Sequence, residues 1–199
     1  MYLDISWQGM PPSDESITVM WKKMVFSTLP TTLEEHAFIK TLREVYSSPE
    51  NVFFAQFKAA DDPVFSWYAS RNRLSEIGFL EKFLQSPAIN RNASGALTYS
   101  SPIAPQFEFI SGFCLDGFLA TELFWGGCGR SFAGNASTAK KLGEGFCEAL
   151  AGDRFEEITV YRSREAWSEW FQDYGADTTY VILDRRTGIF SLLLLTDSA

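Results

Sequence analysis

The chain has 199 residues, 46% of them apolar and 21% charged, which is enough to bury a sizeable core and argues against global disorder. Its formal charge is −8 and its sequence pI is near 4.7. The bases occur only as isolated pairs (Lys22-Lys23, Lys140-Lys141, Arg185-Arg186), so a phosphate backbone would be repelled, while a basic protein would be attracted.

Three cysteines, Cys114, Cys128 and Cys147, make an odd set with no CxxC spacing. No apolar signal segment follows Met1, and no apolar run approaches bilayer length. Together these lead to the expectation of a cytoplasmic, membrane-independent protein. Aromatic residues reach 16%, including 18 Phe, and such rings can fill a core, line a pocket or form an adhesive face.

In chain order, residues 1–16 read as a tail or edge segment broken by Pro11 and Pro12, and Ile17–Phe26 as a strand or a short helix. Thr31 or Thr32 can cap a helix carrying Leu33, Ala37, Phe38, Leu42 and Val45 on one side. Val52–Lys58 and Val64–Ala69 are rich in strand formers, and the intervening Ala-Ala-Asp-Asp-Pro reads as a hairpin turn. Leu74, Ile77, Leu80 and Leu84 repeat at helical spacing, and residues 86–105 read as a loop.

The organising stretch runs from Phe107 to Asn135. Asp116-Gly117 lies between two apolar runs, a hairpin signal because such pairs tolerate positive φ, so Phe107–Cys114 and Phe118–Trp125 are expected to pair as strands. A helix is expected over Ser137–Leu150, with Leu142, Phe146 and Leu150 inward. Glu157–Tyr161 reads as a strand. Ser163 is then expected to cap a helix striped with Trp167, Trp170, Phe171 and Tyr174. Thr178–Leu183 and Ile189–Leu195 read as a closing hairpin, the second strand buried on both faces.

The pattern predicts an α+β fold, a mostly antiparallel sheet built from hairpins with about four helices packed on it. It is read as one domain over residues 1–199, with a two-lobe division possible within residues 86–105.

The chemistry-bearing residues are few. His36 is the sole histidine, and its helical phase points to the surface, so a histidine-rich metal site is impossible and no metal or other cofactor is expected. Cys128 sits in a glycine-rich turn with Arg130 nearby, where an activated thiol is conceivable. That turn matches neither phosphate-loop pattern. Glu108 and Glu122 lie among aromatics, where two carboxylates with separated pKa values can act as acid and base. No motif carries a family signature.

Two functions follow from this reading. The preferred one is a non-catalytic acidic protein that binds, and so neutralises, a basic partner in the manner of an inhibitor or immunity protein. Its contact residues would be Trp167, Trp170, Asp173, Tyr174 and Asp177. The alternative is a small enzyme or ligand-binding protein with an aromatic-lined pocket, Glu108 and Glu122 as acid–base groups and Cys128 as a possible nucleophile.

Overall fold

The computed structural model describes residues 9–93, 97–101, 104–128, 130–172 and 175–197. Six strands, β1 (Phe26–Leu29), β2 (Val52–Ala59), β3 (Glu108–Ser111), β4 (Ile158–Ser163), β5 (Thr178–Asp184) and β6 (Ile189–Leu195), make one antiparallel sheet. Their order is β1-β2-β6-β5-β4-β3. The closing hairpin forms as the sequence predicts, with Thr178 opposite Leu195 and Asp184 opposite Ile189. Leu192, Leu193, Leu194 and Leu195 are all fully buried, because successive side chains enter opposite faces and both faces are covered.

Seven segments supply the cover: α1 (Asp14–Lys23), α2 (Ala37–Val45), α3 (Pro63–Ser70), α4 (Phe79–Leu84), α5 (Pro87–Asn92), α6 (Leu115–Trp125) and α7 (Ala136–Ala151). The fold is therefore α+β with an antiparallel sheet, and it is richer in helix than the about four helices expected. One face of the sheet, including Phe57, Val181, Phe190 and Leu192, packs against α1, α3, α4 and α5. The other, including Phe54, Val160, Tyr180 and Leu193, packs against α2, α6 and α7. Aromatic residues fill the first layer: Phe190 lies 5.0 Å from Phe79 and 5.6 Å from Phe83 between ring centroids.

Several expectations are corrected. The segment Ile17–Phe26 resolves into the end of α1 and the first residue of β1. Ser13 Oγ accepts the Ser16 N–H at the start of α1, with Asp14 and Glu15 in the first turn and Lys22 and Lys23 in the last, both favourable to the helix dipole. Val64–Ala69 is helical, not the second strand of a hairpin. Asp62 caps α3 by accepting from Val64 N at 2.8 Å and Phe65 N at 3.2 Å, and Pro63 occupies the first turn. The Asp-Pro pair is thus a helix start and not a turn. The 74–84 helix is interrupted by Gly78 at φ 67°, and the 86–105 segment contains α5.

The largest correction concerns the stretch around Asp116-Gly117. Only Glu108–Ser111 is strand; Leu115–Trp125 is α6, with Leu115, Leu119, Ala120 and Leu123 buried at helical spacing. Instead of a hairpin, this stretch forms a close helix crossing. A Cβ on Gly143 of α7 would lie 2.6 Å from the Asp116 carbonyl, so that glycine lets α7 approach α6. Lys140 Nζ closes the crossing on Asp116 Oδ2 at 2.6 Å. Helix α7 spans the expected residues, but its buried side chains include Ala139, Phe146 and Cys147, while Leu142 and Leu150 are half-buried.

Ser163 ends β4 and starts no helix; its Oγ accepts from Glu165 N at 3.1 Å. No helix follows among the described residues, so the aromatic stripe does not exist as a helical face.

Candidate functional site

The carboxylates singled out from the sequence sit on different elements. Glu108 begins the edge strand β3 and forms an ion pair with Arg162 of β4, which faces it across the pair in register. Glu122 points from α6 toward the sheet, where Tyr180 Oη donates to its Oε1 at 2.8 Å and Arg164 Nη2 approaches at 3.5 Å. Burial raises the Glu122 carboxyl above its ordinary value, and the Tyr180 hydrogen bond and the Arg164 charge only partly offset this. Arg162 also shares a hydrogen bond with Tyr180 and lies 4.3 Å over the Phe118 ring. The two carboxylates are therefore linked through Arg162 and Tyr180; neither touches the other.

Burial raises the Tyr46 hydroxyl, and Glu122, Asp197, Arg164 and Cys128 all act on it, so Cys128 lies within electrostatic reach of the same group as Glu122; the other candidates separate. Cys128 is exposed in the turn after α6, and Cys114 is exposed as well. Cys147 is buried in α7, and burial pushes its thiol up to about 12. His36 is only partly exposed. Its Nδ1 accepts the Phe38 N–H at 3.2 Å, so the imidazole itself caps α2, and its ring lies 5.4 Å from that of Phe146. Desolvation lowers its pKa, in keeping with the neutral ring that a cap acceptor requires. Among the described residues, no group of three or more metal-ligating side chains forms.

Of the expected contact residues, Asp173 and Tyr174 lie outside the described residues. Trp167 is wholly buried and donates through Nε1 to Thr179 Oγ1 at 2.9 Å; Trp170 is half-buried against Phe171. Asp177 is buried and accepts from Thr196 Oγ1 at 2.6 Å. Nearby Asp197, fully buried, accepts from Asn51 Nδ2 at 3.0 Å and from the Ser47 N–H. Gly127 lies against this carboxylate so closely that a Cβ there would overlap Asp197 Oδ2. These acids tie the chain segments together at one end of the sheet.

The surface that the sequence reading missed is the outer edge of the sheet at β3. The opposite edge strand, β1, has α5 packed beside it. Among the described residues, strand β3 bonds only to β4 and stands at the end of the sheet. Ile110 turns inward and is buried, whereas Phe109 is 58% and Phe113 67% exposed. Phe109 lies 6.5 Å from the Tyr161 ring and Phe113 lies 6.4 Å from Phe155, so the two exposed rings continue the core outward. Phe155 is flanked in the chain by the exposed acids Asp153 and Glu156, and Glu165 holds the Gln106 N–H just before the strand. The available signal was the alternation in Phe107-Glu108-Phe109-Ile110, but the Asp-Gly pair drew that run into a hairpin that does not form.

No protein-family model, curated protein or solved structure matches the chain.

Proposed function

We propose that this protein is a non-catalytic binder of a basic protein, and that an extended basic segment of that partner adds to the free edge of β3. The observation that supports the reading is the combination of a strand edge with no partner among the described residues and two exposed rings, Phe109 and Phe113, in a chain of net charge −8. Strand addition supplies main-chain hydrogen bonds, and the alternate side chains supply specificity. Exposed strand edges ordinarily carry devices against pairing, such as lysines, prolines or bulges, and Glu108–Ser111 contains neither lysine nor proline. Asp153, Glu156 and Glu165 would favour a cationic segment and speed its encounter. Sequestering a segment of a basic enzyme or toxin in this way would neutralise it.

The reading is tested by affinity capture with the wild-type chain and with the double variant Phe109→Lys, Phe113→Ser, using quantitative mass spectrometry on native lysate of the source organism. Both positions are exposed, so circular dichroism should be unchanged. A basic protein recovered stoichiometrically by the wild type should fall at least about tenfold with the variant, the size of effect seen when central aromatic anchors are lost. Equal recovery by both proteins would overturn the reading, as would concentration-dependent self-association through the same edge in sedimentation velocity.

The acid–base alternative rests on the raised carboxyl of Glu122. Glu108 does not serve as its partner, since it is bound to Arg162 at the surface.

A further inference from the structure

Away from β3, a hollow of about 420 Å³ opens between the end of α1, the start of β1 and the corner joining α4 to α5. Small-molecule sites commonly span roughly 300–1,000 Å³ and combine apolar walls with a few placed polar groups. Trp21, Met24 and Pro87 form apolar wall here. The Trp21 ring is held in place, because its Nε1 donates to the Ile77 carbonyl at 2.9 Å and it packs nearly perpendicular to the Phe65 ring.

The charged groups in the lining are all cations. Lys82 and Arg91 both line the hollow, and no carboxylate does. Neither cation makes an ion pair among the described residues, although Lys40, Arg73, Lys140, Arg154, Arg162, Arg164 and Arg186 all do. Arg91 Nε donates to the Pro87 carbonyl at 3.1 Å, which steadies its guanidinium beside the corner. Ser86, only 7% exposed, also lines the hollow, and its buried Oγ has no hydrogen-bond partner among the described residues. That oxygen is closed off from solvent, so the charged groups that face the hollow are the two cations.

The geometry points to a binding site for a small amphipathic organic carboxylate. The acidic head would sit by Lys82 and Arg91, and the apolar body would lie against Trp21, Met24 and Pro87. A guanidinium and an ammonium together suit a carboxylate, and the apolar wall gives no reason to hold an inorganic anion.

Decanoate, held below its micelle concentration, is a suitable probe, with decanol and inorganic phosphate as controls. Titration followed by ¹H–¹⁵N NMR should shift the Trp21 indole and the amides of residues 82–91 before any others. Decanoate should bind at least about tenfold more tightly than decanol, as expected for a paired charge contributing more than a kilocalorie. The double variant Lys82→Gln, Arg91→Gln, altered only at exposed positions, should bring decanoate down to the decanol level. Equal affinity for decanoate and decanol in the wild type, unchanged affinity in the double variant, phosphate binding as tightly as decanoate, or shifts centred elsewhere would each overturn the proposal.

Discussion

The two ends of the central sheet use carboxylates in opposite ways. At the turn joining β5 to β6, Glu157 lies between Arg154 and Arg186, and Arg154 also reaches Asp184 at 2.9 Å. Those arginines hold the Glu157 carboxyl down at about 2. Burial pushes Asp184 up, but Arg154 and Thr187 outweigh it and its carboxyl is lowered. Toward the other end, the buried Glu122, Asp177 and Asp197 accept from neutral donors, among them Tyr180, Thr196, Asn51 and the Ser47 amide. There the Glu122 carboxyl is raised. Glu157 and Glu122 thus favour opposite protonation states, the first held down by direct contact with two guanidinium groups and the second pushed up by burial that its neighbours only partly offset.

The largest effect expected from breaking this contrast is at Asp197. Replacing it with alanine leaves the buried Asn51 amide and the Ser47 N–H without their acceptor. With each stranded donor costing about 1–3 kcal/mol, the loss should be about 3 kcal/mol in urea unfolding. Asp197→Asn, which keeps one acceptor oxygen, should lose clearly less. Equal losses in the two variants would mean that packing, not hydrogen bonding, dominates that end.

At the charged end the signature is in pH. Because Glu157 is lowered from its ordinary 4.5 to about 2, the unfolded chain binds the more protons between those values. Its contribution is therefore complete above 4.5 and is lost as pH falls toward 2. Glu157→Gln should flatten this acid limb in urea midpoints measured from pH 5 to pH 2. An unchanged slope would show that the arginine cluster does not act through that carboxylate.

The smallest effect is expected at Glu122, with the opposite sign. Its raised carboxyl makes the folded chain the better proton binder, so its influence on stability declines as pH climbs through the folded pKa. Glu122→Gln keeps an acceptor for Tyr180 and loses only a 3.5 Å pairing with the half-exposed Arg164. The change at neutral pH should stay within about 1 kcal/mol. Relative to the wild type, the variant should gain stability from pH 4 to pH 8. A loss of several kilocalories, or a gain on acidification, would show that Glu122 is held ionised by Arg164.

Much of the sheet was legible in the sequence because its signals are local. Val52–Ala59, Ile158–Ser163 and the β5–β6 hairpin are runs of strand formers bounded by turn residues, and each forms as a strand. The misreadings share one cause: a local pattern compatible with two structures. Asp62-Pro63 serves as a turn or as a cap with a proline first turn. Asp116-Gly117 serves as a hairpin turn or as a helix start beside a close crossing. The aromatic run Trp167–Phe171 matches a helical stripe, yet Trp167 is drawn into the core by its bond to Thr179. The polar cluster around Asp197 was only partly readable, since Asn51 and Asp197 are 146 residues apart and only the fold brings them together.

The sequence by itself determined the charge of the chain, its abundance of rings and the antiparallel pairing of its last two strands, because these depend on composition or on neighbours a few residues apart. Tertiary structure decided that Leu115–Trp125 would be helix, that His36 would cap α2, and that Phe109 and Phe113 would stand exposed on an open edge. Those outcomes depend on which surfaces cover one another: α7 settling over α6 through Gly143 favours a helix there, and β3, paired among the described residues with β4 alone, keeps its rings exposed.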